Sequence, residues 1–133
     1  MRLLVCDDDE SVGRFLGTVL DADEWTVEAT ASGRDCLARL AGFDPDVIVL
    51  DQVMPGLTGI ETAGEIRGRG YDGPILLFSA HLTPKIRTEA RALGLRTVSK
   101  IDTEALVRIL TAFESGERPG RPSAASLRGQ PGS

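Results

Sequence analysis

Apolar residues along this chain follow two alternating rhythms. In Leu3-Leu4-Val5-Cys6, Val47-Ile48-Val49-Leu50 and Ile75-Leu76-Leu77-Phe78 every position is apolar. Runs of that length and character are strands buried on both faces. Between them, apolar residues recur every three or four positions, which marks one face of a helix. Val12, Phe15, Leu16, Val19 and Leu20 form the first such face, with Ser11 or Asp9 as its cap. Leu37, Leu40 and Ala41 form the second, and Ile60, Ala63 and Ile66 the third, weakened by Gly64 and Gly68. Ile86, Ala90 and Leu93 form the fourth, ending at Gly94, and Leu106, Ile109, Leu110 and Phe113 the fifth. Two remaining runs, Thr26-Val27-Glu28-Ala29-Thr30 and Arg96-Thr97-Val98-Ser99, mix polar with apolar residues as edge strands do.

Strand then helix, five times over, predicts a parallel sheet with helices on both faces. With the apolar runs inside and the mixed runs at the edges, the strand order is 2-1-3-4-5. The fold class is thus α/β, a doubly wound, flavodoxin-like (βα)5 sheet whose switch point lies between strands one and three. The runs end in reactive groups. The first leads into Asp7 and Asp8, the third into Asp51, the fourth into Ser79 and the fifth into Lys100. Open parallel sheets bind ligands outside the carboxyl ends of their strands, so these five side chains are expected in one crevice.

A chain of 133 residues is one domain's worth, assigned here to residues 1–114. From Ser115 onward the residues are almost all Gly, Pro, Ser, Ala and Arg, with Leu127 the one large apolar side chain. Such a segment cannot bury enough surface to offset its ordering entropy, so 115–133 is expected to be a disordered tail, with Arg118, Arg121 and Arg128 solubilising it. The tail is too short for an output domain. A net charge of −5 argues against a direct nucleic-acid surface. Cys6 and Cys36 sit in apolar patterns at no metal-ligand spacing, which predicts reduced core thiols. No run approaches the roughly twenty apolar residues of a membrane span, and the N-terminal run turns acidic at once. The expected location is cytoplasmic, with no membrane contact.

Asp7, Asp8 and Asp51 at one sheet end repel each other. A hard divalent cation relieves this, and magnesium accepts one or two carboxylates while keeping waters that leave room for a phosphate oxygen. An acidic helix N-terminus alone would explain Asp7, Asp8, Asp9 and Glu10, but not Asp51, Ser79 and Lys100 at matching strand ends. Nucleotide and flavin binders of this topology cradle phosphate on bare backbone N–H groups at the first turn, where this chain carries four carboxylates. Asp51 is the best nucleophile: a carboxylate can attack phosphorus to give an acyl phosphate, with Lys100 adding positive charge and Ser79 a hydrogen bond.

The stretches Leu3-Leu4-Val5-Cys6-Asp7-Asp8-Asp9-Glu10, Val47 through Gly59, Phe78-Ser79-Ala80 and Val98-Ser99-Lys100 resemble the signature blocks of the receiver domain of two-component response regulators. The resemblance covers residues 1 to about 114. It implies that Asp51 accepts phosphate from a sensor histidine kinase or a histidine phosphotransfer protein. It implies that Asp8 and Asp51 bind Mg2+ directly, that Asp7 acts through water and that the Val53 carbonyl completes the protein ligands. Ser79 and Lys100 would hold the phosphoryl group, and the Ser79 loop and fourth helix would shift in response. With only the tail following, the expected output is protein–protein contact, through Lys85, Arg87 and Arg91 on the fourth helix or by passing the phosphate on, as a monomer or a phosphorylation-dependent dimer.

Two positions depart from the family pattern. Thr97 stands where an aromatic residue usually reports the switch, and Ile101 replaces the proline that often follows the lysine. A cis bond before a non-proline residue costs about 3–4 kcal/mol, so the Lys100-Ile101 bond is either trans or strained. Val53 cannot orient a water, which predicts slow self-dephosphorylation, with His81 the one nearby imidazole. An Mg-dependent aspartyl-phosphate hydrolase is the alternative, but such enzymes carry a second Asp where this chain has Val53. A non-phosphorylated scaffold is a third reading, opposed by the intact Asp7, Asp8, Asp51, Ser79 and Lys100 set.

Overall fold

The computed structural model describes residues 1–116. Its elements are β1 (Arg2–Cys6), α1 (Glu10–Val19), β2 (Thr26–Thr30), α2 (Gly33–Phe43), β3 (Val47–Leu50), α3 (Gly59–Gly68), β4 (Ile75–Ser79), α4 (Pro84–Ala92), β5 (Arg96–Ser99) and α5 (Thr103–Glu114). All strand pairs are parallel, in the order β2-β1-β3-β4-β5. The expected order is the observed one, with the two polar-mixed strands at the edges. The expected tail lies outside the described residues except for Ser115 and Gly116.

Alternation along the inner strands divides the core in two. Leu4, Cys6, Ile48, Leu50, Ile75 and Leu77 face α2, α3 and α4. Leu3, Val5, Val47, Val49, Leu76 and Phe78 face α1 and α5. Each fully buried Leu or Ile contributes about 1.5–3 kcal/mol of apolar burial, so the all-apolar runs could not lie at an edge without large loss. Every helix starts on a Ser, Thr or Asp whose side chain accepts a backbone N–H: Asp9, Ser32, Thr58, Thr83 and Asp102. Asp9 rather than Ser11 therefore caps α1, with Ser11 donating to it.

Two helix faces differ from the periodic reading. On α1 only Leu16 is buried; Phe15 and Val19 are exposed. On α2 Ala41 is exposed, and the inward stripe is Cys36, Leu37, Leu40 and Phe43. The stripe on α2 is rotated because Phe43 at its last turn reaches the core and fixes which side faces the sheet. Cys6 and Cys36 are free, buried thiols, as expected.

Candidate functional site

The backbone ladder continues one residue past the strands and thereby fixes the site. The Asp7 N–H donates to Thr30 O at 3.1 Å, Asp51 N–H to Cys6 O at 2.9 Å and Lys100 N–H to Ser79 O at 3.1 Å. Side chains at three strand ends are thus positioned by sheet hydrogen bonds rather than by loop conformation. Asp7 and Asp51 are almost fully buried, whereas Asp8 is exposed.

One carboxylate oxygen from each of Asp7, Asp8 and Asp51 lies within 4.8 Å of the others. Lys100 reaches into this group from β5. Its Nζ is 2.7 Å from Asp7 Oδ2 and 3.1 Å from Asp51 Oδ2, so one ammonium bridges the two buried carboxylates. Their other oxygens take backbone donors: Asp7 Oδ1 accepts from Asp9 N–H at 2.9 Å and Asp51 Oδ1 from Gln52 N–H at 2.7 Å. Burial lifts the Asp7 carboxyl above its usual range, against the pull of Lys100 and the Asp9 amide, and the charge of Asp51 adds to the rise. Burial draws the Lys100 ammonium down, but its hydrogen bonds to Asp7 and Asp51 outweigh that and hold it above the usual lysine range. The two shifts agree physically. Asp7 is the more deeply buried partner, so desolvation dominates there while attraction dominates at Lys100.

Ser79, the last residue of β4, is buried, and its Oγ accepts from His81 N–H at 3.1 Å. Val53 is exposed at the rim, two residues beyond Asp51. The Lys100-Ile101 bond is trans, since no peptide bond among the described residues is cis, and Ile101 stands almost wholly in solvent. The structure therefore gathers Asp7, Asp8, Asp51 and Lys100 in one cluster, sets Ser79 at the neighbouring strand end and leaves Val53 and His81 at the edge.

Three supports were not legible in the sequence. Gln52 is buried and its Oε1 accepts from Ile60 N–H at 2.9 Å, tying the Asp51 turn to the start of α3. Gly59 donates its N–H to Gln52 O at 3.0 Å and has no room for a side chain: a Cβ there would meet Asp51 O at 2.3 Å. Met54 is buried in the core, with its Sδ 3.5 Å from the Sγ of Cys6, the residue before Asp7. Contact with Cys6, then burial, pushes the Cys36 thiol far up, so it stays protonated in the core.

A parallel sheet of this order with acidic groups at its switch point and a lysine from the last strand defines a receiver-type site. The profile of the response regulator receiver domain matches residues 3–111, and the chain belongs to that family. Over 80 residues it is 40% identical to the response regulator MprA of Mycolicibacterium vanbaalenii, a match that takes in 60% of this chain and 35% of that protein. The MprA of Mycobacterium tuberculosis (H37Rv) matches to the same extent, so the aligned stretch spans only 35% of these relatives' length. Among solved structures, chemotaxis protein CheY4 of Vibrio cholerae superposes with a TM-score of 0.74 at 28% identity, covering 84% of this chain and 96% of that one. The response regulator TrrA of Thermotoga maritima, solved with Mg2+ and BeF, gives 0.70 at 26% identity, covering 84% and 96%. Receiver domains are signalling domains that bind Mg2+ at an acidic pocket, and the phospho-acceptor role in two-component signalling fits this chain better than a hydrolase does. No helix among the described residues is long and apolar enough to cross a membrane.

Proposed function

We propose that this protein accepts a phosphoryl group on Asp51 and signals by the resulting change of its surface. The observation that carries this reading is the set of three carboxylates within 4.8 Å at the switch point, with Lys100 bridging two of them. Three oxygen donors around a small volume suit a hard divalent ion, and Asp8 and Asp51, with Asp7 through water and the Val53 carbonyl, are the residues that would hold Mg2+. When bound, Mg2+ neutralises charge on the transferring group.

Everything else is done by the chain. Asp51 Oδ attacks the phosphorus of a phosphohistidine on a sensor kinase or phosphotransfer protein; the new O–P bond forms as the P–N bond breaks, and the imidazole leaves with the electron pair. Lys100, already an ion-pair partner of Asp51, and Ser79, at the neighbouring strand end, hold the phosphoryl oxygens. TrrA was solved with Mg2+ and BeF, the latter a stand-in for a phosphoryl group, which supports carrying such a pair over to this site. The chain turns over no external ester in this reading: it catalyses only its own phosphorylation and a slow dephosphorylation, because Val53 offers a water no hydrogen bond. The output is contact with a partner protein in the cytoplasm.

Incubation with Mg2+ and a small phosphodonor such as acetyl phosphate tests this directly. Wild type should gain one phosphoryl group per chain, and Asp51→Asn or a chelator should abolish the gain. Equal labelling of Asp51→Asn, or sustained hydrolysis of a generic phosphate ester, would overturn it.

A further inference from the structure

α4 is thinly held by apolar contact. Ala90 is its one fully buried residue, Ile86 and the following Leu93 are partly buried, and Lys85, Arg87, Thr88, Arg91 and Ala92 face solvent. Its two ends are held differently. At the C-terminal end, Arg67 of α3 donates from Nε to Leu93 O at 2.9 Å and from Nη2 to Gly94 O at 3.4 Å. The same guanidinium donates from Nη1 to Tyr71 O at 3.0 Å and Gly73 O at 2.7 Å, so that end is bound to the α3–β4 connection. The N-terminal end hangs on Ser79 by only Ala80, His81 and Leu82 before the Thr83 cap. His81 N–H is already bonded to Ser79 Oγ, at 3.1 Å.

One side-chain bond crosses from the N-terminal half of α4 to the sheet. Arg87 Nη1 donates to Thr97 Oγ1 at 3.1 Å, while Arg87 N–H donates to Thr83 O at 2.9 Å. Thr97 pairs in register with Leu77, two residues before Ser79, and Leu77 belongs to the core that α4 covers. Alternation along the strands then places Thr97 and Ser79 on the same face of the sheet.

We infer that the Arg87–Thr97 hydrogen bond is a latch that holds the N-terminal end of α4 against β5, with the Arg67-bound end as the pivot. A nine-residue helix is about 13 Å long, so a small tilt about its C-terminal end moves the Thr83 cap the most and carries Arg87 with it. A group on Asp51 that recruits the Ser79 hydroxyl pulls on the three-residue link, and the latch opposes that pull. Opening it detaches the exposed Arg87 guanidinium from β5. A hydrogen bond between a charged donor and a neutral acceptor is discrete, formed or broken, which gives α4 two positions rather than a continuum. The stimulus rests on the phosphorylation proposed above; the latch itself does not.

Two readouts on the 133-residue chain keep those apart. Amide hydrogen exchange of α4 without phosphodonor reads the latch alone, and the rate of acetyl-phosphate labelling reads its coupling to Asp51. Thr97→Val and Arg87→Ala should each speed exchange of the α4 amides about fivefold, the factor that a net hydrogen bond of average strength gives, and raise the labelling rate by a similar factor. The double variant should match either single one, because both remove the same bond. Unchanged α4 exchange in both single variants, or a double variant showing the product of two independent effects, would overturn the latch. Faster exchange together with an unchanged labelling rate would overturn the coupling to Asp51. Faster exchange with a wild type that takes no label would uphold the latch and sink the phosphorylation reading instead.

Discussion

Gly59 has no space for a methyl group. A Cβ there would approach the Asp51 carbonyl oxygen to 2.3 Å and Gln52 Cα to 2.9 Å, both backbone atoms that cannot swing aside. Gly59→Ala should cost about 2 kcal/mol or more in urea denaturation and reduce phosphodonor labelling as Asp51 shifts. The charge cluster makes a prediction of its own. The folded-state pKa of Asp7 is raised above the ordinary 3.8, so its contribution to stability is fully present below 3.8 and is lost as pH rises through the raised value. In chelator, the stability of wild type relative to Asp7→Asn should therefore fall as pH rises from about 4 toward 7. A difference that stays flat or grows would contradict the burial argument. Lys100 acts in a separate window: its pKa is raised above 10.5, so the stability it adds persists below 10.5 and is lost only as pH rises through the higher folded value. Asp7, Asp8, Asp51 and Ser79 were legible because they follow runs that are apolar at every position, and Lys100 because it follows a run that reads as an edge strand. Gln52, Met54 and Gly59 were not, since a loop residue's partner depends on where the next helix begins.

Within the elements, what could be read followed from periodicity and what could not followed from tertiary packing. α3 looked weak for Gly64 and Gly68, yet it spans Gly59–Gly68 because Thr58 and Glu61 form a reciprocal capping box and Ala63 and Ile66 are fully buried. Gly64 meets nothing within 4 Å at the position of a Cβ, so Gly64→Ala should stabilise the protein by about 0.5–1 kcal/mol, the opposite sign to the same change at Gly59. Thermal unfolding of the two variants side by side checks both. On α1 the i, i+3, i+4 spacing picks out five apolar residues, but the sheet covers only part of that arc, and Phe15 and Val19 remain in solvent. Periodicity identifies the helix; it does not say how wide a stripe its neighbours cover. The same gap hid the Arg87–Thr97 bond, which depends on how α4 lies against β5 and leaves no periodic trace.

Across the whole molecule, the strand order followed from the contrast between runs that are apolar at every position and runs diluted by polar residues, because only interior strands of a doubly wound sheet are covered on both faces. That order brings the carboxyl ends of β1 and β3 together, and the site is a consequence of topology before it is one of side chains. A chain carrying −5 overall still places two of its carboxylates in near-total burial, an arrangement that costs stability unless a cation answers it. Lys100 supplies one charge for Asp7 and Asp51, leaving the cluster net negative and open to a divalent ion. The most direct measurement locates the covalent group itself: label the protein with acetyl phosphate in Mg2+, reduce the acyl phosphate with borohydride and map the altered residue by peptide mass spectrometry. Modification at Asp51, absent when Asp8→Asn is treated in the same way, is the predicted result. Modification at any other carboxylate, or undiminished modification of Asp8→Asn, would contradict the account.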